Sequence, residues 1–166
     1  MQFYTADVCD TYKERVGVLA PRYQSYGGVE HLHGPITTLK LTRDNTPLIA
    51  LLKEPGNRRI AVVDVAAECY AVVGENLMKL AYQNDWAGIL IHGYVRDTHI
   101  THTIPVGLWA LGTCPRKSFE SHPGERDIPL VLEGIVLTPE HHFMADGDGI
   151  IIVDDGVMKA LTQSGS

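Results

Sequence analysis

Cysteine is scarce, positive charge is in deficit, and no long apolar run occurs. Cys9, Cys69 and Cys114 are scattered and odd in number, with no CxxC among them. Neither a disulfide framework nor a zinc knuckle is suggested, and a reducing, cytoplasmic setting is expected. The 14 Lys and Arg residues face 20 Asp and Glu, a net charge of −6. That balance argues against direct electrostatic binding of nucleic acid. No stretch approaches the roughly 20 apolar residues needed to cross a bilayer. The opening MQFYTADVCD lacks the basic-then-apolar layout of a signal peptide, and the closing Ser164-Gly165-Ser166 is no recognised sorting tail. The GxSxG, P-loop and GxGxxG patterns are absent, which disfavours serine-hydrolase, P-loop and Rossmann-type chemistry. No repeat, low-complexity tract or linker interrupts the chain, so residues 1–166 read as one domain.

What is present suits a layered globular protein. The chain has 166 residues, 45% hydrophobic and 20% charged, enough for a sizeable core. Residues 5–14 read as a short helix with Thr5 as N-cap, and the β-branched, alternating run 35–42 as a strand. Asp44-Asn45-Thr46 caps a helix with Pro47 at its start and Leu48, Leu51 and Leu52 on its apolar face. Residues 59–65 form a buried strand ending near Asp64. After 105–112, another apolar strand, the segment 119–127 is polar and reads as a surface loop. Strands at 128–132 and 135–138 flank Glu133-Gly134. Residues 139–144 read as a turn, 150–153 as a strand and 156–162 as a final helix. Strands outnumber helices, and alternating and continuous apolar runs coexist, so a mixed α/β fold is expected.

The stretch Gly74 to Asp97, GENLMKLAYQNDWAGILIHGYVRD, organises the chain. A glycine-led turn, Gly74-Glu75-Asn76, starts a helix with Leu77, Leu80 and Ala81 on one face. Asn84-Asp85 breaks it, the apolar strand 87–91 follows, and His92–Val95 leads to Arg96-Asp97. In α/β proteins, polar groups at a strand's exit escape the core. An exposed helix start offers free N–H groups to an anion. A guanidinium can clamp a carboxylate, and a neighbouring carboxylate can hold a hard cation. Arg96 and Asp97 are therefore the first candidates, with a surface ion pair as the bland alternative. Glu75 is either a contributor to a metal's water shell or a dipole-favoured first-turn residue.

Other constellations are weaker. Asp146-Gly147-Asp148-Gly149 lacks the remaining ligands of a calcium loop and reads as a β-turn. His31 and His33, or His99 and His102, have no third partner at metal-ligand spacing. His141-His142 read as turn residues. Cys69, in an apolar context, reads as an inert core thiol.

The residues also carry a resemblance. Thr5-Ala6-Asp7-Val8-Cys9-Asp10, Gly74-Glu75-Asn76-Leu77, Asn84–Gly88, Gly93-Tyr94-Val95-Arg96-Asp97, Ile104–Gly107, Gly112–Ser118, Arg126–Pro129 and Ala145–Ile150 match in register over nearly the whole length. The chain resembles the family that contains the regulator of ribonuclease activity A and the class II 4-hydroxy-4-methyl-2-oxoglutarate aldolases. The resemblance implies an α/β, swivelling β/β/α layered domain, a ring-shaped homotrimer, and active sites in clefts between subunits. In the aldolase branch, the arginine matching Arg96 binds substrate and the aspartate matching Asp97 binds Mg2+ or Mn2+. Amides of the turn matching Gly74, Glu75, Asn76 and Leu77 face the substrate. Lys117 is a weaker candidate for a carboxylate contact. The regulator branch tends to lose the aspartate that this chain keeps. Three departures bear on the substrate: Val65-Ala66-Ala67 stands where a glycine run is common, and its added methyls are expected to narrow the cleft or change which acid fits. Glu75 replaces a common aspartate, and a longer C-terminal tail seen in some aldolases is not matched.

The resulting expectation is a divalent-metal-dependent lyase on a small 2-oxo acid, an aldolase or oxaloacetate decarboxylase working through a pyruvate enolate. Arg96, Asp97 and Glu75 carry the catalysis, with Asp97 as metal ligand. The alternative is a non-catalytic regulator that binds a ribonuclease or RNA-processing protein. A quinone-precursor methyltransferase, a name also attached to the family, is disfavoured because no glycine-rich cofactor loop follows an early strand.

Overall fold

The apolar runs become strands, and the segments between them short helices and turns, in a computed structural model that describes residues 2–165. Met1 and Ser166, the last residue of the Ser-Gly-Ser end, lie outside the described residues. In chain order the elements are α1 (Thr5–Tyr12), a 3-10 turn at Lys13–Arg15, β1 (Val16–Val18), β2 (Gln24–Ser25) and β3 (Leu32–Lys40). Next come α2 (Thr46–Leu52), β4 (Ile60–Asp64), β5 (Ala71–Val73), α3 (Glu75–Gln83), β6 (Gly88–Val95) and α4 (Thr98–Thr101). The rest are β7 (Gly107–Thr113), β8 (Glu125–Arg126), β9 (Leu130–Leu132), β10 (Ile135–Leu137), β11 (His142–Asp146), β12 (Gly149–Val153) and α5 (Asp155–Ser164).

The long strand β3 joins two kinds of sheet. Its first half pairs antiparallel with β11, Leu32 opposite Ala145 and Pro35 opposite His142. Its second half pairs parallel with β4, Ile36 opposite Ile60 through Lys40 opposite Asp64. The resulting order is β1-β12-β11-β3-β4-β6-β7-β2, with β5 added alongside the end of β6. The parallel strands read as continuous apolar runs because both of their faces are covered. On β4, Ala61 and Val63 point towards Leu48, Leu51 and Leu52 of α2 and Met78 and Ala81 of α3, while Ile60 and Val62 meet Leu90, Trp109 and Phe143 on the other side. The hairpin β9–β10 closes that second face through Leu130, Leu132 and Leu137. α1 and α5 cover the antiparallel half, burying Val8 and Val157 against Met144, Ile151 and Val153. No helix among the described residues is long and apolar enough to cross a membrane.

Local expectations fail at several places. Tyr4, not Thr5, is the N-cap of α1; the Thr5 N–H and hydroxyl both donate to Asp146, at 2.7 Å each. Residues 142–144 are strand rather than turn, because β11 is paired on both sides, with β3 and β12. Cys69 is exposed, in the turn before β5. β1, β2, β5 and α4 carry too few residues for a periodic pattern, and within the segment 119–127, expected to be loop, Glu125–Arg126 pairs with β3 as β8.

Candidate active site

The parallel strands deliver their carboxyl ends to one edge of the sheet, and the cleft is built there. β5 ends at Val73 and the chain turns through Gly74 into α3; β6 ends at Val95 and continues into Arg96-Asp97. The Arg96 N–H donates to the Val73 carbonyl at 2.9 Å, which sets the two exits side by side. Asp97 takes a left-handed conformation, φ 57°, a region aspartate tolerates better than most residues. Its carbonyl accepts the Ile100 and Thr101 N–H groups of α4 at 2.9 and 3.0 Å. Its side chain turns back, so that Oδ2 accepts the Glu75 N–H at 3.1 Å. Gly74 makes this approach possible: a Cβ there would lie 2.5 Å from Asp97 Oδ2.

The resulting cleft has a volume of ≈ 140 Å³ and is lined by Gly74, Glu75, Asn76, Leu77, Arg96, Asp97 and Lys117, every residue singled out from the sequence. It also takes in Asn45 and Ile49 of the α2 region, which sequence reasoning treated only as cap and helix. Asn45 Nδ2 donates to the Val72 carbonyl at 3.1 Å, tying the start of α2 to β5. Only the packing of α2 against α3 reveals this wall; nothing in the local sequence signals it.

The charges are disposed unequally. Arg96 Nη1 donates to the Pro115 carbonyl at 3.3 Å, which steadies the guanidinium while leaving other N–H donors for an anion. The Glu75 carboxylate is drawn aside by Lys79, one turn on, at 2.5 Å. Lys117 Nζ sits 5.0 Å from the Phe119 ring centroid. The first-turn N–H groups of Asn76 and Leu77 have no acceptor within α3, as at any helix start, and carry a partial positive charge at residues that line the cleft.

Among the described residues, no group of three or more His, Cys, Asp or Glu could hold a metal by protein ligands alone. The donor set in the cleft is oxygen only, with the Asp97 Oδ1 atom uncommitted beside the Oδ2 held by Glu75. That fits a hard cation such as Mg2+ or Mn2+, which commonly keeps waters and uses one or two carboxylates plus substrate oxygens. Of the histidines, His31 binds the Phe3 carbonyl at 2.7 Å and His102 packs against Tyr26, while His99 on α4 lines a neighbouring cavity with Arg96 and Asp97. Asp146 to Gly149 is the tight β11–β12 turn, with the Asp148 N–H on Asp146 Oδ1 at 2.9 Å. Val65, Ala66 and Ala67 do not line the cleft, so the expected narrowing does not occur. Val65 is buried in the core instead, and the two alanines form a left-handed turn, φ 53° and 55°.

Comparison with known proteins supplies the remaining constraint. A family model described as "RraA-like: Aldolase/RraA" matches residues 5–152. A curated relative from Laribacter hongkongensis, provisionally named a 4-hydroxy-4-methyl-2-oxoglutarate aldolase, is 40% identical over 95% of this chain and all of its own length. Among solved structures, the RNA-processing inhibitor RraA from Thermus thermophilis superposes with a TM-score of 0.87 at 34% identity, covering 92% of this chain and 93% of that one. A Geobacillus kaustophilus protein described as an S-adenosylmethionine:2-dimethylmenaquinone methyltransferase gives 0.86 at 34% identity, over 92% and 95% of the two chains.

Proposed function

The chain belongs to the RraA-like family, and on that premise we propose that its cleft is the active site of a divalent-metal-dependent lyase acting on a small 2-oxo acid. The observation that carries the proposal is the junction of Arg96, Asp97 and the amide-bearing start of α3 around one small cleft. The reaction is cleavage of a 4-hydroxy-4-methyl-2-oxoglutarate-type aldol, or decarboxylation of oxaloacetate; both pass through the enolate of pyruvate. Asp97 would hold Mg2+ or Mn2+, which when bound supplies Lewis-acid polarisation of the substrate's keto oxygen.

The chain's own groups do the rest. Arg96, anchored by the Pro115 carbonyl, pairs with the substrate carboxylate through its remaining N–H donors. The Asn76 and Leu77 N–H groups face the oxygen on which negative charge develops, and being fixed in a helix they need no reorganisation. Lys117, which also lines the cleft, offers a cation to a second carboxylate. Glu75 has one carboxylate oxygen on Lys79 and the other free to accept a proton from a water in the cleft. Ile49, Ala71 and Val73 give an apolar wall against which the non-reacting part of the substrate packs. We extend the proposal to a homotrimer in the cytoplasm, which light scattering on the purified protein tests.

The decisive assay is pyruvate release from oxaloacetate and from 4-hydroxy-4-methyl-2-oxoglutarate, with Mg2+ or Mn2+ present and then chelated. The variant of choice is Asp97→Asn, since asparagine also tolerates the left-handed backbone at this position. Metal-dependent turnover that falls at least about 100-fold in the variant, with the fold intact, is the expected result. A folded wild-type protein that turns over neither substrate would sink the lyase reading. The likeness to the Thermus RNA-processing inhibitor favours a second reading, a non-catalytic regulator that binds a ribonuclease. Metal-independent capture of a purified ribonuclease by this chain, together with no turnover, would favour it.

A further inference from the structure

Cys69 and Cys114 are 45 residues apart in sequence, yet their sulfurs lie 3.2 Å from each other. The backbone brings them together. The Ala71 N–H donates to the Arg116 carbonyl at 2.8 Å, and Arg116 Nε donates to the Cys69 carbonyl at 3.1 Å. Cys69 is exposed, whereas Cys114 is buried but borders a second cavity with Arg96, Asp97 and His99. The two thiols are not equivalent. The Arg116 backbone N–H, followed by the Cys69 thiol, holds Cys114 below the usual thiol range, while hydrogen bonding to Cys114 pushes Cys69 up. The Cys69 thiol donates to the Cys114 sulfur, so Cys114 is the more readily ionised of the two.

Both segments also build the cleft. Residues 71–73 begin two positions after Cys69 and form one wall, while Pro115, next to Cys114, holds Arg96, and Lys117 also lines the cleft. We propose that Cys69 and Cys114 are a redox-active dithiol, oxidised by a hydroperoxide to a disulfide that fixes the Lys117-bearing loop against the wall leading into Gly74. The Cys114 thiolate attacks the peroxide, the O–O bond breaks, and the departing oxygen takes a proton from solvent to leave as water or an alcohol. Cys114 is then a sulfenic acid; the Cys69 sulfur displaces its oxygen, which leaves as water with the Cys69 proton. The two electrons lost by the sulfur pair reduce the peroxide, and an external dithiol reverses the step by exchange. Cys9, half-buried in α1 and remote from both residues in sequence, provides an internal control.

The test is hydrogen peroxide on the full-length protein, followed by thiol titration and non-reducing peptide mapping. The expected result is loss of two of the three thiols, a peptide linking Cys69 to Cys114, and full recovery with dithiothreitol. A Cys9→Ser variant should lose both of its thiols. Absence of that linkage, or conversion of Cys114 mainly to sulfinic or sulfonic acid, would overturn the proposal. A second measurement, pyruvate affinity by calorimetry with Mg2+ present, should differ at least threefold between reduced and oxidised protein and not respond to peroxide in Cys69→Ser. Equal affinity in the two states refutes the coupling to the cleft. A mapped disulfide with pyruvate bound in neither state upholds the dithiol and counts against the lyase reading instead.

Discussion

Replacing Gly74 by alanine should separate the site from the fold. The backbone there, φ −148°, does not demand glycine, so the added methyl acts through contact alone. Its carbon would sit 2.5 Å from Asp97 Oδ2 and 3.4 Å from Arg96 Cγ, where ordinary contact begins at 3.4 Å. The carboxylate must therefore retreat by about 0.9 Å, which breaks its 3.1 Å hydrogen bond from the Glu75 N–H. Because the carboxylate can rotate into the open cleft, the stability cost is limited to one solvent-accessible, charge-assisted hydrogen bond, about 1 kcal/mol. At this chain length that lowers the melting midpoint by roughly 2–4 °C. The effect on turnover is larger, since misplacing a reacting or metal-holding group by about 1 Å costs on the order of 100-fold. Pyruvate release and thermal melting are measured side by side, with Gly147→Ala as control, where a Cβ meets nothing within 4 Å. Wild-type turnover in a folded Gly74→Ala protein would refute the role given to the Asp97–Glu75 contact, as would an equal loss in the control.

Further outcomes follow from the same geometry. The Asp146 carboxyl would be raised by its burial, but the Thr5 N–H and hydroxyl and the Asp148 N–H outweigh that and lower its pKa below 3.8. A depressed folded-state pKa contributes stability above the ordinary carboxylate value and loses it as pH falls through the folded value. Asp146→Asn should therefore cost about 1–2 kcal/mol at pH 7 in urea titrations, with the difference from wild type shrinking as pH falls below 3.8. A pH-independent difference would contradict this. Ala66→Gly and Ala67→Gly relieve left-handed alanines outside the cleft, and each should stabilise the protein by up to about 1 kcal/mol without changing turnover. Trp86, fully buried with its indole N–H on the Glu54 carbonyl at 3.0 Å and Arg59 stacked on its ring, should cost about 3–5 kcal/mol when cut to alanine. A stable Trp86→Ala protein by calorimetry would show that this packing is dispensable.

Much of this was legible in the chain because the signals are local. Continuous apolar runs at 60–63 and 87–91 specify strands covered on both faces. Pro47 with Leu48, Leu51 and Leu52 specifies a helix with one buried side. A glycine ahead of Leu77 and Ala81 marks the start of α3, and charges placed just after an apolar strand, Arg96 and Asp97, mark an exit from the core. Those readings need only the period of the backbone and the cost of burying charge. The neighbours of each element were not legible. Which strand lies beside β6, and so which residues face Arg96, depends on long-range pairing that leaves no periodic trace in three-residue segments such as β5. Asn45 and Ile49 join the cleft only because α2 packs on α3. Glu75, singled out from the sequence, lines the cleft, but its carboxylate turns to Lys79, which a reading by motif could not anticipate. Cys69, which the sequence suggested was a core thiol, meets Cys114 across 45 residues because parallel strands return distant segments to the same edge of the sheet. Sequence alone determined the elements and the chemistry available at their ends. Tertiary structure decided which ends meet, because burial of the helices on a mixed sheet, not any local preference, sets that edge.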